Sequence, residues 1–129
     1  MQTPAVRFRV DFGRHEAVGP GKIALLEQIA VSGSLAQAAR ALKMSYRRAW
    51  QLLESLNSSF SERVAVSSKG GRGGGGAQLT PLGTELVSRY RAFDQEVQKR
   101  AARCFRGLAA KSRAAARPGA APVRRLSER

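Results

Sequence analysis

The sequence has few residues suited to catalysis, metal binding or covalent cross-linking. Its 129 residues include one cysteine, Cys104, and one histidine, His15, which lie far apart along the chain. A single cysteine cannot form an intrachain disulfide. One cysteine and one histidine are also too few for a zinc site, and they are not placed as a thiol nucleophile and its base. We therefore expect no enzyme activity and no metal or cofactor.

Long apolar stretches are missing as well. No run approaches the eighteen or more apolar residues that a membrane-spanning helix needs. The first residues, MQTPAVRFRVDFG, alternate in polarity and do not form the apolar centre of a signal peptide. With the lone cysteine, these features predict a reduced, cytoplasmic setting with no membrane partner.

Acidic residues are scarce, and this imbalance is the main global feature. The chain has 9 Asp and Glu against 23 Lys and Arg, a net charge of +14, which favours a polyanionic partner such as nucleic acid. Residues 1–98 hold 13 basic and 8 acidic side chains, whereas residues 99–129 hold 10 and 1. Residues 107–129 contain few large apolar groups, so we expect one domain at 1–106 and a disordered basic tail at 107–129. The tail is either an arm on the phosphate backbone or a solvated extension.

The first half of the domain predicts one strand and three helices. Alternation of apolar and polar residues over about 5–12 predicts a strand, and a helix should follow from Pro20 to the stop at Gly33. Ser34 with Gln37 forms a capping-box pattern for a second helix over about 35–42. Ser45 is the next candidate cap. Helices joined by so short a turn predict a helix-turn-helix.

The third helix has an apolar stripe and an opposite polar face. Ala49, Leu52, Leu53 and Leu56 fall at core spacing, whereas Arg47 and Gln51 face outward. Arginine can pair with guanine and glutamine with adenine in the major groove, although such a face can also be merely solvated. Trp50 either leans over the DNA backbone or, as we expect for a large aromatic side chain, packs between helices. The residues that we predict to contact DNA in this region are Gln37, Arg40, Ser45, Tyr46, Arg47, Arg48 and Gln51.

A glycine-rich segment separates two short strand candidates. Residues 64–68 and 77–80 predict a β-hairpin around SKGGRGGGG. A basic hairpin after a helix-turn-helix indicates a wing, and Lys69 and Arg72 are its predicted DNA contacts. The alternative is that the glycine loop is an amide nest for an oxyanion.

The last predicted element is a long helix from Thr80 and Pro81 to about residue 106. Its apolar stripe exceeds what a small core needs, so we predict a homodimer. A monomeric capping helix is the alternative. The predicted dimerisation residues are Leu86, Tyr90, Phe93 and Val97. The fold class is thus mainly α with a small β part: a winged helix-turn-helix with an N-terminal strand and a long C-terminal dimerisation helix.

Residues 5–105 resemble the N-terminal winged-helix domain of the ModE family of molybdenum-responsive transcription regulators. The resemblance lies in GSLAQAARALKMSYRRAWQLLESLN and in GGRGGGGAQLTPLG, with Asn57 and Gly83 in their expected places. It implies a dimer that binds palindromic operator DNA of molybdate-uptake genes. Because molybdate-binding domains do not follow, we expect a stand-alone form that does not itself sense molybdate.

Three function classes follow from these observations. A sequence-specific transcription regulator of the ModE type is the first, and it would bind double-stranded DNA as a homodimer. A nucleoid-type architectural protein would bind DNA with little base preference and a strong dependence on salt. An oxyanion-binding module would bind molybdate at the glycine loop.

Overall fold

The computed structural model of this protein describes residues 4–13, 17–68 and 76–113. The chain divides into two compact units. One is Phe8–Tyr90, and the other combines Met1–Arg7 with Arg91–Arg129. Within the described ranges, no helix is both long and apolar enough to cross a bilayer.

Four helices and two small hairpins make up the described structure. In chain order the elements are β1 (Val10–Asp11), β2 (Ala17–Val18), α1 (Pro20–Ser32), α2 (Leu35–Ala41), α3 (Tyr46–Ser58), β3 (Ala65–Ser68), β4 (Gly76–Leu79) and α4 (Pro81–Cys104). A short 3₁₀ turn follows at Ala109–Lys111. This order confirms a mainly α, winged helix-turn-helix fold with a long last helix.

Local signals place the ends of α1 and α2. Gly33 ends α1 in the left-handed conformation, at φ 71°, and its N–H donates to the Ile29 carbonyl at 2.8 Å. Ser34 Oγ accepts from the Gln37 N–H at 3.1 Å, as predicted for the cap of α2. The capping box needs a correction, because the Ser34 N–H donates to Ser32 Oγ, at 3.3 Å, instead of to the Gln37 side chain.

The turn between α2 and α3 is closed by backbone bonds. Lys43 takes a positive φ of 59°, and the Met44 N–H donates to the Ala39 carbonyl at 3.0 Å. Ser45 Oγ then accepts from the Arg48 N–H at 3.0 Å and caps α3. The predicted helix-turn-helix is therefore confirmed.

The core of the unit Phe8–Tyr90 lies among the three helices and the second hairpin. Of the predicted α3 stripe, Ala49, Leu53 and Leu56 are buried and Leu52 is partly buried. The largest side chains without solvent contact are Val18, Ile23, Leu25, Leu26, Ile29, Leu56 and Val64. Full burial of such a side chain stabilises a fold by about 1.5–3 kcal/mol, so α1 is the main source of core stability.

The predicted N-terminal strand is much shorter than expected. Residues 4–10 alternate in burial as the pattern predicts, but the ladder joins only Val10 to Val18 and Asp11 to Ala17. A strand needs a partner of equal length, and β2 has two residues. The backbone of Val6 is bonded by a side chain instead: its N–H donates to Gln98 Oε1 at 3.0 Å, and its carbonyl accepts from Gln98 Nε2 at 2.8 Å.

The second hairpin has the predicted strands in antiparallel register. Ala65 pairs with Leu79 and Ser68 with Gly76. The hairpin also touches the loop between α1 and α2, because the Ala77 N–H donates to the Gly33 carbonyl at 2.9 Å. The predicted tip contacts Lys69 and Arg72 lie outside the described residues.

Two of the four predicted dimerisation residues have a role inside the chain. Leu86 and Tyr90 are buried in the core of their own unit. The Tyr90 hydroxyl donates to the Phe8 carbonyl at 3.1 Å, and the two rings stack with centroids 4.9 Å apart. The prediction is corrected accordingly: both residues face the chain's own core and offer little surface to a partner. In the other unit, Phe93 is half-exposed and Val97 is partly buried.

Candidate nucleic-acid interface

The beginning of α3 is arranged to attract negative charge. Free N–H groups and the helix dipole give every helix a partial positive charge at this end. Arg47 and Arg48 add two full positive charges in the first turn of α3, and that turn contains no acidic residue. A phosphate or an electronegative base edge therefore meets only favourable charge here.

The polar side chains predicted to contact DNA are exposed on α2 and α3. They are Gln37, Arg40, Arg47, Arg48 and Gln51. Across residues 4–13, 17–68 and 76–113, no hydrogen bond or ion pair engages these five side chains. Their donors are thus available to a ligand. Ser45, also predicted as a contact, is exposed and has its hydroxyl occupied as the cap of α3.

Two neighbouring charged side chains, in contrast, have partners within the chain. Glu54 lies on α3 two turns beyond Arg47, where its carboxylate would repel phosphate, and it pairs with Arg63 at 3.4 Å. Lys22 Nζ donates to the Ala17 carbonyl and to Ser55 Oγ, both at 2.9 Å, which ties α1 to α3. No local pattern predicts either pairing, because the partners are brought together only by the fold.

Two aromatic side chains are exposed on the same helix. Tyr46, a predicted contact, is 57% exposed, and Trp50 is 50% exposed. The expected packing of Trp50 between helices is therefore wrong for half of its surface. The cause is the crossing of α3 over the core, which buries the side of Ala49 and Leu53 and leaves the flank of Trp50 open.

The loop after α3 is held by Asn57 and Gly83, a role that the sequence pattern did not predict. Asn57 is buried, and its Oδ1 accepts from the Val64 N–H at 2.7 Å and from the Ala65 N–H at 3.4 Å. Gly83 lies against the same loop, where a Cβ would overlap the Val64 carbonyl oxygen. Together they fix the position of the hairpin relative to α3. Two features of the sequence could have indicated this role. They are the position of Asn57 in the apolar stripe of α3 and that of Gly83 in the first turn of α4.

These features define a class of protein, the winged helix-turn-helix proteins. Its recognition helix is α3, where two arginines and a glutamine are exposed and have no partner in the described part of the chain. Groups of three or more His, Cys, Asp or Glu side chains that could hold a metal do not occur in the part of the chain that the structure describes.

Comparison with known proteins relates the chain to ModE proteins. It is 38% identical over 92 residues to the molybdenum transport protein ModE of Azotobacter vinelandii, a match that covers 71% of this chain and 34% of the relative. It is 42% identical over 81 residues to the DNA-binding transcriptional dual regulator ModE of Escherichia coli, covering 62% and 30%. The molybdenum-pterin-binding protein MopB of Rhodobacter capsulatus is 38% identical over 82 residues, covering 64% and 30%.

The resemblance to ModE is thereby confirmed for most of the domain, and the chain spans about a third of the length of the curated relatives it matches. No protein-family model matches the chain. Among solved structures, the chain is similar to one titled "Crystal structure of CbnR_DBD-DNA complex", with a TM-score of 0.49 and 20% identity over 84% of this chain and all of that one.

Proposed function

We propose that this chain is a DNA-binding transcription regulator of the ModE type, which reads double-stranded DNA with α3 and acts by binding and not by catalysis. The wing flanks the recognition helix and supplies further phosphate contacts. The proposed setting is the bacterial cytoplasm, on the nucleoid.

One observation carries this proposal. Arg47, Arg48 and Gln51 are exposed in the first half of α3, without partners in the described part of the chain, directly after a capped and tightly closed turn. Holding these three polar side chains unpaired in the first half of α3 does not stabilise the isolated fold. It gives a major-groove ligand both phosphate and base-edge contacts.

The relatives support sequence-specific regulation over the two alternatives. One of them is named as a DNA-binding transcriptional regulator, and two carry molybdenum in their names. We therefore propose that the target genes concern molybdenum or molybdate. We assign molybdate no site in this chain.

We also propose that the active species is a homodimer that binds a palindromic operator. The half-exposed Phe93, with Val97 one turn later, leaves apolar surface on α4 for a second copy. A two-fold symmetric pair presents two recognition helices to successive turns of one DNA face, about 34 Å apart.

The test is to footprint the purified protein on its own genomic DNA and then measure binding to the site found. Arg47→Ala and Gln51→Ala are each expected to weaken specific binding by about 1–3 kcal/mol, because each removes a base contact, and to leave binding to random DNA nearly unchanged.

Arg89→Ala is the matched control, because it removes the same charge from an exposed arginine on α4 that is already paired with Glu85 at 2.8 Å. It should leave specific affinity close to that of the parent protein. Equal losses on random and specific DNA for Arg47→Ala would favour the architectural alternative and overturn the regulator.

A further inference from the structure

Both aromatic side chains on α3 are exposed, as are Phe12, Phe93 and Phe105, whereas Phe8, Phe60 and Tyr90 are buried or partly buried. Phe8 stacks on Tyr90, and Phe12 packs against Phe60 with ring centroids 5.2 Å apart. Tyr46 and Trp50, four residues apart and so adjacent on one side of α3, are both at least half exposed. Water disfavours such apolar surface, and a contiguous exposed patch on a binding helix indicates that something covers it.

The position of Trp50 on α3 limits what can cover it. It lies one turn after Arg47 and directly before Gln51, the two residues proposed to read bases. Helical side chains lean toward the N-terminus, so the indole covers the turn of α3 that carries the arginines. The occupant must therefore offer an apolar group close to negative charge.

The major groove of DNA offers that combination, because the C5-methyl group of thymine lies at the groove surface between the phosphate rows. A second copy of this chain fits less well. Its net charge is +14, and burying Arg47 and Arg48 against it would leave both charges uncompensated.

We propose that Trp50, flanked by Tyr46, determines specificity for thymine by packing its indole against a thymine methyl group next to the bases read by Arg47 and Gln51. The inference rests on the proposed function and adds a base preference that the arginines and the glutamine cannot supply.

The experiment begins with selection of duplexes from a random pool by the full-length protein. Each thymine of the selected duplex is then replaced by uracil, which removes only the methyl group. In the parent protein, one position in each half-site should lose affinity about fourfold, the value expected for one buried methyl group. In the Trp50→Ala variant, uracil at that position should cause no further loss of affinity. The Trp50→Phe variant should still lose affinity when that thymine is replaced by uracil.

Val31→Ala is the matched control, because Val31 is an apolar side chain that is 82% exposed on α1, and its truncation should leave the uracil profile unchanged. The chain has a single tryptophan, so its emission reports on this site alone. Saturation with the selected duplex should change the intensity or wavelength of that emission.

The outcomes distinguish a failure of the thymine contact from a failure of the proposed function. Uracil penalties of the same size in the parent protein and in Trp50→Ala, or an emission that does not change at saturation, would overturn the thymine contact and leave the regulator intact. A change of sedimentation in Trp50→Ala would assign the patch to self-association and also overturn it. If no duplex is selected from the pool, the proposed function fails, and the inference fails with it.

Discussion

At the scale of single residues, Asn57 shows how one buried amide connects the recognition helix to the wing. Its Oδ1 accepts two backbone N–H groups, and its Nδ2 is 3.5 Å from the Ala65 carbonyl. Val64 and Ala65 are almost completely buried, so water cannot replace these partners. The Asn57 side chain therefore takes the place of a backbone hydrogen-bond partner at the start of β3.

Removal of this amide should cost stability. Asn57→Ala is expected to lower the free energy of unfolding by about 2–4 kcal/mol, because it leaves two buried N–H groups without acceptors. Urea denaturation followed by circular dichroism measures the change. Ser58→Ala, at the exposed neighbouring position on α3, should change the free energy by less than about 0.5 kcal/mol. Similar effects for both variants would contradict this role of Asn57.

At the scale of elements, two glycines in first helical turns have opposite surroundings. Gly21 in α1 has no atom within 4 Å of where a Cβ would be, whereas a Cβ on Gly83 in α4 would overlap the Val64 carbonyl. Thr80 caps α4, accepting from the Gly83 N–H at 3.1 Å and donating to the Arg63 carbonyl at 2.7 Å. The first turn of α4 is thus pinned to the loop before β3 and cannot shift to relieve an added methyl group.

The two alanine substitutions should therefore change stability in opposite directions. Gly21→Ala is expected to raise the free energy of unfolding by about 0.5–1 kcal/mol, through the better helix propensity of alanine. Gly83→Ala should lower it by about 1–3 kcal/mol or more, since the carbonyl must move. Parallel urea titrations compare the two directly, and a gain for Gly83→Ala would show that α4 adjusts freely.

At the scale of the whole molecule, the surface of α4 bears on assembly. The core of Phe8–Tyr90 is completed by Leu86 and Tyr90, so the dimer that we propose uses the later part of α4. Phe93 is exposed there by 49%, and Phe105 and Leu108 beyond it are also exposed. The basic tail and its salt-dependent contact with phosphate remain predictions from the sequence, because residues 114–129 lie outside the described part of the chain.

Phe93→Glu should separate the proposed dimer. The substitution places one carboxylate on each half of the two-fold interface, so sedimentation should shift to the monomer, and affinity for a palindromic site should fall at least tenfold toward that of a half-site. Gln95→Glu adds the same charge at an exposed position almost opposite Phe93 on α4 and should leave the dimer intact. A parent protein that is monomeric at about 10–50 µM and binds half-sites as tightly as palindromes would contradict the dimer.

The sequence by itself determined the helices and their caps, because these depend on contacts between residues three or four apart. Ser34, Ser45 and Gly33 each act on their own helix end, and the helical period predicted which side of α3 is buried. The outward position of Arg47 and Gln51 followed from the same period. Local chemistry is sufficient for such features.

Only the tertiary structure decided the features that depend on distant partners. The N-terminal strand is short because the chain gives it a two-residue neighbour, and Gln98, 92 positions away, bonds the backbone of Val6. Whether an apolar residue faces the core or a partner depends on which element covers it. That is why Tyr90 was predicted at an interface and is buried beside Phe8, and why Trp50 was predicted inside and is half exposed.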